Sequence, residues 1–89
     1  MLKVAKFGGS SLSDSAQFAK VKHIVESDDA RKVVVVSAPG RRTSDDNKIT
    51  DLLYLCKAHL KYDVSPDPIF EMISARYREI RDQLGLTLD

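Results

Sequence analysis

With 89 residues, 43% of them hydrophobic and 30% charged, the chain has the profile of one small globular domain and is too short for two. Fourteen Lys and Arg against thirteen Asp and Glu leave a net charge of +1 with the signs interspersed, which excludes a strong pull toward nucleic acid or an anionic membrane. A single cysteine, Cys56, excludes an internal disulfide, and no apolar run approaches a membrane span.

The opening Met1 to Lys6 lacks the apolar run of a signal peptide, so a soluble cytoplasmic protein is expected. Residues 2–7 read as a short strand that ends where Gly8-Gly9 must turn. Asp14 with Gln17 three positions on forms a capping box for a helix from about Ser15 to Glu26. Ala16, Ala19, the stem of Lys20, His23 and Ile24 line one side of that helix, and Phe18, Val21 and Val25 the adjoining one, a breadth that suits packing on a sheet. The run Val33 to Val36, continuing to Ala38, reads as a central parallel strand buried on both faces. Pro39-Gly40 closes it.

A polar loop, Arg41 to Lys48, precedes a second helix with Ile49, Leu52, Leu53, Cys56 and Leu60 at spacings of three and four. Ser65-Pro66-Asp67-Pro68 breaks that helix and starts a third. The apolar stripe of the third is Ile69, Ile73, Tyr77, Ile80 and Leu84, and Gly85 is its stop signal. The order β-α-β-loop-α-α is an α/β pattern with too few strands to cover a central one. Incompleteness is the expected explanation.

Chemistry concentrates at the first strand's end. A Gly-Gly turn between strand and helix lets the backbone approach a large anion and point its N–H groups at phosphate oxygens. The following helix adds its N-terminal dipole. Lys6 would stand above that cradle as a mobile cation, with Ser10 and Ser11 supplying hydroxyls. Read from the residues alone, Gly8-Gly9-Ser10-Ser11 is equally a plain connection with no ligand. Neither G-x-G-x-x-G nor G-x-x-x-x-G-K-[ST] is present, so Rossmann and P-loop folds are unsupported.

Three ordered segments resemble the aspartate kinases. They are Lys6-Phe7-Gly8-Gly9-Ser10-Ser11, Val33 to Gly40, and Thr50-Asp51-Leu52-Leu53. They span residues 3–53, whereas 54–89 match only in general character. The resemblance implies the start of an amino-acid kinase fold, with residues 1–89 the N-terminal part of its catalytic domain. It also implies transfer of the ATP γ-phosphate to the side-chain carboxylate of L-aspartate, the first step towards lysine, threonine and methionine. By the same resemblance Lys6 is catalytic. Lys6, Phe7, Gly8, Gly9, Ser10 and Ser37 belong to the ATP site, and Thr50 contacts aspartate. Mg²⁺ is expected to arrive with ATP rather than on a protein site, and the complete enzyme to be a homo-oligomer.

Ser10 stands where many relatives carry threonine, and the loop from Ala38 to Thr50 is longer than in many, as in one bacterial subgroup. The family's later glutamate, its Arg-Gly-Gly-Ser-Asp segment and its nucleotide-base pocket have no counterpart in residues 1–89, so these residues by themselves are expected to be inactive. Two other functions compete: a kinase for another amino-acid carboxylate, such as acetylglutamate, and a free-standing remnant that binds anions or pairs with a kinase subunit.

The remaining candidates read as bland. Arg41 and Arg42 suit a solvated loop, and Asp45 and Asp46 alone make a poor Mg²⁺ site. Cys56 falls on a core stripe, and His23 and His59 lack ligand spacing. Arg76, Arg78 and Arg81 share a helix with Glu71, Glu79 and Asp82, which reads as a solvated face.

Overall fold

Strand β1, Lys3–Phe7, pairs in parallel with β2, Arg31–Val36, in a two-stranded sheet. The computed structural model describes residues 1–88. Between the strands lie a 3₁₀ turn, Gly9–Leu12, and helix α1, Ser15–Glu26. The Asp14 carboxylate caps α1, accepting from the Gln17 backbone N–H at 3.0 Å, as the capping-box spacing predicts. Helices α2, Ile49–Lys61, and α3, Asp67–Gln83, complete the chain. Pro66 and Pro68 open α3, and Gly85 ends it with a left-handed φ of 69° that a β-carbon would strain.

The pairing register is regular from Val4↔Val33 to Phe7↔Val36, so both strands finish side by side. Their following loops are therefore neighbours. The βαβ order expected from the hydrophobic pattern is present, with two corrections of burial. The four valines of β2 are between 39% and 59% exposed, not buried on both faces. A strand needs a partner on each edge and a layer on each face, and here β1 covers one edge while α1 touches part of one face. In α1 it is the Phe18, Val21, Val25 side that is half-buried, while Ala16, Ala19 and Ile24 stay open.

The core sits beside the sheet rather than under it. Ile49, Leu52 and Ile73 are buried together, with Ala38, Cys56 and Ile69 packed against them. This places Cys56 at the edge of the core. Leu53, Leu60 and Tyr77, expected on apolar stripes, are exposed. A helix pair buries a seam narrower than the stripe a sheet would cover, and α2 packs mainly on α3. The result is elongated, 52 × 26 × 25 Å. Its radius of gyration is 15.5 Å, against roughly 12 Å for a compact chain of this length.

Candidate functional site

Because the two strands end in register, the turn after β1 and the loop after β2 meet backbone to backbone. The Gly40 N–H donates to the Gly9 carbonyl at 2.7 Å. A β-carbon on Gly40 would lie 2.8 Å from the Gly9 carbonyl carbon and 3.0 Å from the Ser10 nitrogen. One on Gly9 would lie 3.0 Å from the Ala38 oxygen. Gly9 and Gly40 are thus glycines because another backbone passes there. Gly8 differs, since nothing stands within 4 Å of its added β-carbon. Gly8 is the glycine with open space beside it.

Beside this crossing lies a cavity of about 410 Å³, inside the range of ~300–1,000 Å³ usual for small-molecule sites. Gly9 and Ser10 form one wall. Ser37 to Arg41, the segment leaving β2, forms the second, and Lys48 and Thr50 the third. The third wall is the start of α2, whose unpaired N–H groups and dipole favour an anion. The Ile49 N–H is tied across to the Pro39 carbonyl at 3.1 Å, which fixes that helix end against the second wall. Hydroxyls from Ser10, Ser37 and Thr50 and cations from Arg41 and Lys48 thus surround one space. This composition suits phosphate or carboxylate.

Four of the seven residues expected at the site line this cavity: Gly9, Ser10, Ser37 and Thr50. Lys6, Phe7 and Gly8 do not. Phe7 is buried, which leaves its backbone as the part that can serve a ligand. Lys6 is exposed on the opposite face of β1 and forms no ion pair among the described residues. Arg41 lines the cavity, where a merely solvated residue was expected. Lys48 was not singled out in the sequence, although a cation immediately before a helix start after a polar loop is a legible sign of an anion site.

The largest departure concerns Arg76. Expected on a solvated face, it is 6% exposed and reaches between the β1–α1 connection and both ends of the loop from β2 to α2. Its guanidinium donates to the carbonyls of Asn47 at 2.7 Å, Ser13 at 3.0 Å and Gly40 at 2.7 Å. The Asp46 carboxylate lies 3.8 Å from it. Arg42, also expected to be solvated, grips Asp46 through Nε at 2.6 Å and Nη2 at 3.1 Å and reaches Glu79 at 3.3 Å. The hydrogen bond from Arg42 holds the Asp46 carboxyl well below the usual carboxylate range, against the opposing effect of desolvation. The same bond raises Arg42. Asp46 is therefore committed to arginine, which disqualifies it as a free metal ligand.

No family model matches the chain. Its sequence is 49% identical over 85 residues to Aspartokinase 3 of Bacillus subtilis (strain 168), across 96% of this chain and 19% of that protein. Its fold superposes on the crystal structure of Clostridium acetobutylicum aspartate kinase, described as an allosteric enzyme important for industrial amino acid production. The TM-score is 0.93 at 57% identity, covering 97% of this chain and 20% of that one. The chain belongs to the aspartate kinase family. It spans about a fifth of the length of these aspartate kinases. The β-α-β-α-α order is thus a stretch of the aspartate kinase fold, and the open flank of β2 lies within that stretch.

Proposed function

We propose that this chain supplies the phosphate-binding part and a portion of the substrate site of an aspartate kinase, as the N-terminal part of its catalytic domain. The observation that carries this reading is the cavity where both parallel strands end, walled by Gly9-Ser10, Ser37 to Arg41 and the start of α2. Ligands of open α/β sheets bind beyond the carboxyl ends of the strands, where these loops lie. Phosphoryl transfer needs positioning and charge neutralisation more than covalent chemistry, and the cavity offers N–H groups, hydroxyls and two cations.

In this reading the open backbone at Gly8 and the helical turn after it hold ATP phosphates, and Ser10 and Ser37 donate to them. Phe7 contributes through its backbone. Lys6 swings over the turn to neutralise charge on the transferring phosphoryl. Thr50 meets L-aspartate at the opposite wall, with Arg41 and Lys48 as its carboxylate counter-charges. Mg²⁺ enters on the nucleotide, since magnesium is usually held by substrate phosphates, and Asp46 is engaged by Arg42. The complete enzyme would act in the cytoplasm as a homo-oligomer, at the start of lysine, threonine and methionine synthesis. Among the described residues no helix is long and apolar enough to cross a membrane.

The decisive experiment replaces Lys6 with alanine in the full-length protein. Turnover should fall by ~10²-fold or more, on the scale of a lost electrostatic stabiliser. The melting temperature should stay unchanged, since Lys6 is exposed. Near-normal turnover would remove Lys6 from the mechanism.

A further inference from the structure

We infer that Arg76 is the positioning residue of the cavity: one buried guanidinium, far from the cavity in sequence, sets the relative placement of all three walls. The inference rests on the kinase reading for its effect on turnover, and on geometry alone for the clamp itself.

One of its three acceptors lies in a wall of the cavity, and the other two adjoin the other two walls. Gly40 lines the cavity itself. Asn47 immediately precedes Lys48, which lines it and is the N-cap of α2. Ser13 lies just past the turn after β1, and its hydroxyl donates at 3.1 Å to the carbonyl of Ser10, which lines it too. Two backbone bonds, Gly40 to Gly9 and Ile49 to Pro39, complete a closed circuit around the cavity. Without Arg76, the Asn47 and Ser13 segments would be joined to Gly40 through these flanking bonds and, on the Asn47 side, through the Arg42–Asp46 pair.

The chemistry requires arginine in particular. Three carbonyls in different directions need a planar fork with several fixed donors, which an ammonium on a flexible stem does not provide. Nor does packing explain the residue. A buried cation carries a desolvation cost that an apolar side chain of similar volume avoids. Arg76 adds to that cost by leaving its own Nε buried without a partner. Asp46 balances the charge, and Arg42 holds Asp46 in place.

The test uses Arg76→Lys and Arg76→Met in the full-length protein, reading amide hydrogen exchange and steady-state kinetics together. Both variants should speed exchange at Gly40 and Ile49 by on the order of 10-fold or more, leaving the amides of β1 and of the later turns of α2 near their parent rates. KM for ATP and for aspartate should rise by about 10-fold, more than kcat falls, because the walls that bind are displaced while Lys6 is untouched. If Arg76→Met fails to fold, Arg76→Lys, which keeps charge and length, carries the test. Unchanged exchange at Gly40 and Ile49, or loosening spread evenly through α2 and α3, overturns the clamp. Selective loosening with unchanged KM overturns its role in positioning. A parent protein without aspartate-dependent ATP turnover refutes the kinase reading alone, and the exchange pattern still decides the clamp.

Discussion

Strand β2 and the start of the loop that leaves it differ in burial in a way that side-chain type alone does not set. The four valines of β2 lie between 39% and 59% exposed, while Pro39 and Gly40 in the loop are buried and Asp46 is half-buried. Burial follows from neighbours, not from side-chain type alone. The strand has one partner, β1, and its free edge and much of its faces have nothing against them. The loop has Arg76, which brings donors to its carbonyls, and the Ile49, Leu52, Ile73 core beneath its end. The backbone at Gly40 can be buried because both its carbonyl and its N–H are satisfied, and an apolar strand stays exposed when no layer reaches it.

That contrast can be broken most directly by expressing residues 1–89 alone. The exposed valines, together with Leu2, Val4 and Ile24, should make this product self-associate, bind hydrophobic dyes and release no aspartyl phosphate from ATP and aspartate. A monomer that unfolds cooperatively would show that the open sheet is tolerated in water.

The next comparison is made within a full-length protein. Leu52→Ala, at a side chain 1% exposed, should cost ~2–5 kcal/mol in denaturant unfolding. If the rest of an aspartate kinase covers β2, Val35→Ala should cost about 1.5–3 kcal/mol there, the worth of a buried valine. A cost near zero for Val35→Ala would mean that the strand stays open in the whole enzyme.

The glycines sharpen the loop side of the contrast. Gly40→Ala should destabilise by about 1–3 kcal/mol, because its β-carbon meets backbone that cannot swing aside. Gly8→Ala should leave stability near the parent value and weaken ATP binding instead, by crowding the approach of phosphate. Equal thermal stability of the two variants would undo the division between a structural and a ligand-facing glycine.

The smallest effect is on pH. Asp46 is depressed in the folded state by Arg42, so its contribution is complete above its unfolded pKa and declines as pH falls through its lower folded value. Stability should therefore be flat from neutrality down to about pH 4 and fall below it, with Asp46→Asn flattening that acid limb. An acid limb that is the same in Asp46→Asn would show that Arg42 and Asp46 do not act on the loop. Asp28, paired with Lys3 at 2.6 Å on the surface, is lowered as well but should leave no measurable mark on the loop.

The local sequence determined the elements. Asp14 with Gln17 placed the start of α1, Pro66 with Pro68 the start of α3, and Gly85 its end, because caps and breakers act within a turn of the backbone. The Lys6 to Ser11 and Val33 to Gly40 segments also revealed the family, since turn chemistry at a strand end is written in consecutive residues. Tertiary structure alone decided which glycine has open space beside it and which meets another chain segment. It alone drew Arg76 from an apparently charged helix face into the loops, and it left the valines of β2 in water. Those outcomes depend on what stands opposite a residue tens of positions away, and periodicity along the chain carries no record of that distance.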